Sequence, residues 1–154
     1  MTSENFSTLV QGLIAAAQLD ISPGENLARL SFDCEDVVCH VVPHPDEDRV
    51  LVEAVLCRLD EVPASLTERL CQLLLHLNTA ARFGHQAVAS LSVDDDILVS
   101  RVLDTTSLDG ERLAAEMMLV IDAATSLRKA IEELCHEEGE EQAEPAFFSP
   151  EERA

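Results

Sequence analysis

The stretch LCQLLLHLNTAARFGHQAVASLSVDDDILVSRVL, residues 70–103, passes from a leucine-rich segment into two strand-like segments. Four of its leucines recur three or four residues apart, as on one face of a helix: Leu70, Leu73, Leu74 and Leu77. Gly84 suits the end of this helix. Three aspartates at 94–96 separate the two apolar segments that follow, and aspartate is a common turn residue. The stretch therefore predicts a helix followed by a β-hairpin.

Upstream of this helix, three more segments rich in valine and leucine occupy 26–33, 36–42 and 49–59. Short polar turns separate them, which favours an antiparallel meander. Before them, apolar residues at helical spacing predict a first helix within 4–18. The N-terminal half is thus predicted as one helix and three antiparallel strands.

Downstream, Asp109 can cap a long helix that runs to about Cys135. Residues 137–154 have no periodic apolar face and carry seven acidic residues against one basic residue, which predicts a disordered tail. We therefore expect one α+β domain, residues 1–136, with the order α-β-β-β-α-β-β-α and an antiparallel sheet packed with helices. The acidic tail, 137–154, follows it.

Charge and hydropathy limit the classes of partner and the cellular location that fit this chain. The chain has 30 acidic and 10 basic residues and a net charge of −20. Such a surface repels nucleic acid and anionic lipid but suits a basic or amphipathic protein partner. No signal peptide and no membrane-spanning segment are expected. The odd number of cysteines, five, predicts reduced thiols, and with them a cytoplasmic protein.

The segment DCEDVVCHVVPH, residues 33–44, contains residue types that bind zinc. In a strand, Cys39 and His40 point to opposite faces, while Pro43 and Pro45 place His44 in a turn. Four ligands would not converge on one point without bending the strand. We therefore predict buried thiols and a strand-face histidine here, with no metal site.

Catalytic patterns are absent as well. The five glycines form no phosphate-binding loop, and no G-x-S-x-G elbow occurs. The aspartates at 94–96 lack the alternation of a calcium-binding loop. Cys71 and His76 are five residues apart and do not share a helix face. We expect no enzyme activity and no cofactor.

Side-chain parity in the first three strands is more informative. A sheet with one solvated face alternates between apolar and polar residues, but both faces of these strands are largely apolar. Either helices cover both faces, or one face is left open for a protein partner. The second helix raises a similar choice, because its wide leucine surface suits either a buried helix or a homodimer interface.

The two segments 70–103 and LDGERLAAEMMLVIDAATSLRKAIEEL, 108–134, resemble the class I chaperones of bacterial type III secretion, the CesT/Tir-chaperone type. The shared pattern is a leucine-rich helix with an asparagine, here Asn78, then two strands around an acidic turn and a long last helix. The resemblance covers about 4–135. The chain departs from the pattern in lacking a glycine in the hairpin turn and in having Leu127 where an aromatic residue is common.

The resemblance implies a cytoplasmic bacterial homodimer without catalytic activity. It implies that the dimer binds the N-terminal region of a secreted virulence effector and keeps it soluble and competent for export. Carried onto this sequence, the family pattern implies effector contact by the first helix and the early sheet, at Leu9, Leu13, Val38, Val42, Leu51, Val55 and Leu59. It implies a dimer interface on the second helix, at Leu70, Cys71, Leu74 and Leu77.

Two alternatives stay open at this point. A protein-interaction module of the same α+β topology could serve no secretion system. A small hydrolase or metal enzyme could use His40 or His85. Neither the effector nor the role of the Phe147–Phe148 pair in the tail follows from the sequence.

Overall fold

A computed structural model describes residues 3–22, 28–34, 36–45, 48–84 and 87–142. Within them it has three α-helices and five strands, in the predicted order: α1 (Ser3–Ala16), β1 (Leu30–Cys34), β2 (Val37–Pro43), β3 (Arg49–Arg58), α2 (Thr67–Gly84), β4 (Val88–Leu91), β5 (Asp96–Asp104) and α3 (Gly110–Gln142). The predicted α+β class is confirmed. Short 3₁₀ turns precede α2 and α3.

The five strands form one antiparallel sheet in the order β1-β2-β3-β5-β4. The first three strands are the predicted meander. The hairpin β4–β5 joins it through β5, which pairs with β3, so that β1 and β4 are the two edges. A β-bulge lies between Val55 and Cys57, where β3 has one more residue than β5.

All three helices share a single core with one face of the sheet, here called the inner face. α3 packs across β2, β3 and β5, and α1 packs against α3. The sheet contributes mainly valines to this core, and the helices contribute leucines, Phe6 and Met117. At the crossing of α1 and α3, the backbones of Gly12 and Gly110 approach so closely that a Cβ at Gly12 would lie 3.1 Å from the Gly110 Cα.

The edge strand β4 is tied to α2 by one side chain. The Asn78 amide donates to the carbonyl oxygen of Ala89 at 2.7 Å and accepts from the Ala89 N–H at 2.8 Å. Both backbone groups of Ala89 are therefore satisfied by the side chain rather than by a further strand. An unpaired edge would invite association with another chain, and Asn78 closes this edge at its middle.

The largest differences between predicted and observed boundaries lie at the start of β1 and at the end of α3. β1 begins at Leu30 rather than at 26; residues 23–27 lie outside the described part. α3 continues to Gln142, past the predicted end near Cys135, so residues 137–142 of the predicted tail are helical. Glu and Gln are good helix formers, which outweighs the missing apolar stripe there. The disorder predicted for 143–154 lies outside the described residues.

Asp109 caps α3 as predicted, because its carboxylate accepts the N–H of Arg112 at 2.8 Å. Near the other end of the helix, Arg69 of α2 forms an ion pair with Glu137 at 2.7 Å. This contact joins α2 to the part of α3 that had been assigned to the tail. The guanidinium of Arg128 donates to the backbone carbonyl of Asp36 in the turn between β1 and β2, which links α3 to the far edge of the sheet.

Candidate functional site

The opposite side of the sheet, here called the outer face, is the candidate site. Its strand residues point away from the core, and the pairing register arranges them in three rows that run across the strands. The first apolar row is Val38, Val55 and Leu98; the polar row is Ser31, His40, Glu53 and Ser100; the second apolar row is Val42, Leu51 and Val102.

Both apolar rows reach solvent. Val38 is 41% exposed and Val102 is 45% exposed, and Val42, Leu51 and Val55 are half-buried. Leu98 is buried but does not belong to the core that the helices share with the inner face. Two of these six apolar side chains are exposed, three are half-buried and one is buried; their arrangement in two parallel rows is unusual, because exposed apolar residues are normally scattered singly. Among the described residues, the helices share their core with the inner face, so of the two alternatives left by strand parity the described part of the chain shows a face that the helices do not cover.

The polar row between them contains two titratable side chains. His40 is only 8% exposed, and its Nδ1 lies 3.0 Å from the Ser31 hydroxyl, with which it forms a hydrogen bond. Burial, and next the positive charge of Arg29, lower the pKa of His40. On the neighbouring strand, burial raises the pKa of the Glu53 carboxyl, and Arg29 partly opposes this rise. Burial thus opposes charge on both side chains of the row.

The lowered pKa of His40 predicts a pH dependence of stability. Since folding disfavours its protonated form, the native state binds fewer protons than the unfolded chain, and stability falls as the pH drops below about 6.5. The charge of Asp96 partly opposes the lowering of the His40 pKa, and Glu53 lies opposite His40 on β3. The raised pKa of Glu53 has the opposite effect on stability, which falls as the pH rises above about 4.5. Urea unfolding at pH 7.5, 6.5 and 5.5 should therefore show a loss of stability that is smaller in His40→Gln.

His76 is the matched control, because its side chain is exposed on α2. His76→Gln is expected to keep the pH dependence of the wild type. An equal loss of stability in wild type and His40→Gln between pH 7.5 and 5.5 would contradict this account of His40.

Residues 8–128 match the model of the Tir chaperone protein (CesT) family. The chain belongs to this family. The expectation raised by the leucine-rich helix, the acidic hairpin and the long last helix is thereby confirmed. No curated protein sequence matches the chain.

Solved structures show the same fold at low identity. A chain of the HopA1–SchA chaperone-effector complex aligns with a TM-score of 0.66 and 12% identity, over 84% of this chain and 98% of that chain. A chain of the structure of the Yersinia pestis type III secretion chaperone SycH in complex with a fragment of YscM2 aligns with a TM-score of 0.55 and 19% identity. The alignment covers 80% of this chain and 98% of that chain. A chain of the ExoT–SpcS complex from Pseudomonas aeruginosa aligns with a TM-score of 0.56 and 16% identity, over 82% of this chain and 100% of that chain.

The structure of this CesT-family chain brings four of the seven proposed effector-contact residues together on the outer face: Val38, Val42, Leu51 and Val55. The other three lie elsewhere. Leu9 and Leu13 are core residues, with 8% and 0% exposure, because the apolar stripe of α1 is used against α3 and the sheet. Leu59 packs against the core just after β3. These three are removed from the proposed contact surface.

The four proposed dimer residues on α2 also fall into two groups, one buried and one exposed. Leu70 and Leu74 face the core and are buried, whereas Cys71 and Leu77 are exposed. Leu75, which lies off the main stripe, is 67% exposed. The exposed side of α2 therefore presents Cys71, Leu75 and Leu77, and α2 packs against β4. The exposed Val88 of β4 pairs with Ser100 and so lies on the outer face, at the β4 end of the polar row.

The sequence interpretation did not find the share of β5 in the outer face. Leu98 and Val102 complete the two apolar rows only because β5 pairs with β3. Alternation within β5 was a usable signal, since Leu98, Ser100 and Val102 have the same parity. The position of β5 beside β3 was not visible in any single strand.

The zinc-like segment behaves as the strand alternation predicted. Cys39 points to the inner face and His40 to the outer face. Burial, with smaller effects from Cys34 and Asp33, raises the pKa of the Cys39 thiol to about 12. Among the described residues, no group of three or more His, Cys, Asp or Glu side chains is arranged to hold a metal ion. No helix in the described ranges is both long and apolar enough to cross a membrane.

Proposed function

We propose that this CesT-family chain is a cytoplasmic, non-enzymatic chaperone of type III secretion. It binds the N-terminal region of a secreted effector on the outer face of its sheet and keeps the effector soluble and competent for export. The observation that carries the proposal is the pair of partly exposed apolar rows on the outer face. The fold supports it, since the HopA1–SchA structure is a chaperone-effector complex of similar fold.

The physical basis of binding is burial of apolar surface. Covering the apolar surface that the two rows leave accessible contributes about 25 cal/mol for each Å² removed from water. The net charge of −20 keeps the free protein soluble despite this surface. It also suits the outer face to a partner of opposite charge.

A homodimer is the second part of the proposal. The exposed side of α2, with Cys71, Leu75 and Leu77, belongs to a helix on the inner side of the sheet and is separate from the outer-face rows. A twofold axis through this surface would make every contact reciprocal, because the same surface of both copies would form the interface. Both outer faces would then remain free for one effector segment.

The test is affinity purification of the tagged protein from its native bacterium, mass spectrometry of what is retained, and light scattering of the purified complex. The expected result is one secreted protein bound near its N-terminus by a dimer. Recovery of the dimer or monomer alone, with no secreted protein, would contradict the chaperone proposal. It would favour a protein-interaction module that serves no secretion system.

Val55→Asp is expected to weaken binding of that effector at least tenfold while leaving the dimer intact. Val55 is half-buried at the centre of the first apolar row, so the substitution removes apolar contact and places a second carboxylate near Glu53. Isothermal titration with the purified effector segment measures the effect.

Leu119→Asp is the control for Val55→Asp, because Leu119 is 54% exposed on α3, on the other side of the sheet. It should bind the effector as the wild type does. Circular dichroism of both variants separates loss of binding from loss of folding. Unchanged affinity in folded Val55→Asp would count against the outer face as the binding site.

A further inference from the structure

The polar row lies between two apolar rows at regular spacing. On β2 the outer-face order is Val38, His40, Val42, and on β3 it is Val55, Glu53, Leu51. Alternate residues of a strand are about 6.8 Å apart, so the apolar rows are separated by about 14 Å. A partner that covers both apolar rows must therefore also cover His40 and Glu53.

Glu53 is the side chain that such a partner must satisfy. Its carboxylate is half-buried, and within the described part of the chain it has neither a hydrogen bond nor an ion pair. His40, opposite it, has its Nδ1 hydrogen-bonded to Ser31. A purely apolar partner would strip the remaining water from an unpaired carboxylate, which opposes binding strongly. A Lys or Arg side chain would instead pair with it through a charge-assisted hydrogen bond.

The charge of the whole chain favours the same partner. With 30 acidic and 10 basic residues, the protein attracts cationic segments over a long range. Arg29 is the nearby cation of the chain itself; it opposes the rise in the pKa of Glu53 but its guanidinium forms no ion pair with Glu53 in the described ranges. A positive charge that pairs with Glu53 would therefore have to come from the partner.

We propose that the outer face selects polypeptide segments in which one basic side chain lies between two apolar side chains at spacings of 6–7 Å, and that Glu53 is the residue that determines this preference. The inference rests on the proposed function, because it assumes that the outer face binds a polypeptide. In an extended segment the three side chains would be at positions i, i+2 and i+4; in a helical segment they would be at i, i+4 and i+8.

The test is selection of a displayed library of random 15-residue peptides on the purified full-length protein. Peptides retained by the wild type should be enriched in Lys or Arg flanked by apolar residues at one of the two spacings, and the spacing obtained identifies the bound conformation. Glu53→Gln should retain peptides with the apolar pattern but without the basic enrichment. Glu133→Gln, an equal change of charge at an exposed position on α3, should select as the wild type does.

A synthetic peptide from the selection then allows a double-mutant cycle. Replacing its basic residue by Gln and replacing Glu53 by Gln should each lower the affinity about tenfold, and the two together should lower it little further. Apolar enrichment without a basic residue in the wild type would overturn this inference and leave the proposed function standing. If Arg29→Gln, but not the wild type, selected a basic residue, Arg29 would be the counter-charge and the inference would fail. Retention of no peptide by any variant would contradict the docking face itself.

Discussion

Gly110→Ala is expected to lower the free energy of unfolding by about 3 kcal/mol, near the upper end of the range for overpacking substitutions. A methyl group at this position would overlap the backbone of Gly12, where α1 crosses the start of α3. The overlapping atoms are main-chain atoms of a helix, so no side-chain rotation can relieve the contact. Gly110 does not have a positive φ, so the cost arises from contact and not from backbone conformation.

Gly12→Ala is the matched control for this prediction. A methyl group at Gly12 would lie 3.1 Å from the Gly110 Cα, which is tight but close to a tolerable contact. Alanine also favours the helical state over glycine by about 1 kcal/mol, which offsets part of the strain. Urea unfolding should show a large loss for Gly110→Ala and a small one for Gly12→Ala. Equal stability of Gly110→Ala and wild type would mean that the helices are not in this close contact.

The α1–α3 crossing explains why part of the site could not be predicted from the sequence. The periodicity of α1 gave the helix and its apolar stripe, but it could not say whether that stripe faces a partner or the protein's own core. The helix has one such stripe, and Leu13 and Phe6 place it entirely in the core. The same ambiguity affected α2, where Leu70 is buried and Leu75 is exposed.

Strand alternation, in contrast, correctly predicted which residues of β2 share a face of the sheet. It placed Cys39 and His40 on opposite faces, and it grouped Val38 with Val42 on the face that the helices leave open. It failed at Leu59, which has the same parity as Val55 in the sequence. The bulge between Val55 and Cys57 inserts one residue and shifts the alternation, so Leu59 packs against the core. Nothing in the local residue pattern marks the bulge.

An ion pair between the sheet and α3 gives the second large expected effect. Arg101 of β5 has inner-face parity, and its guanidinium lies 2.7 Å from the Glu116 carboxylate of α3; both side chains are about one fifth exposed, 21% and 18%. Arg101→Met and Glu116→Met should each lower the free energy of unfolding by about 2 kcal/mol, because each leaves the other charge partly buried without its partner. This is less than the 3–5 kcal/mol typical of fully buried pairs, since some water reaches both groups.

The double variant Arg101→Met/Glu116→Met should be more stable than the sum of the single losses predicts, because it removes both charges together and fills the space with flexible apolar side chains. Arg69 and Glu137 form the matched comparison, since their separation is also 2.7 Å but their side chains are 47% and 61% exposed. Removing either of them should change stability by about 0.5 kcal/mol. Urea unfolding of the single and double variants of both ion pairs measures these losses and their additivity. Strict additivity at Arg101 and Glu116 would show that burial does not strengthen this pair, and the link between α3 and the sheet would then depend on apolar packing alone.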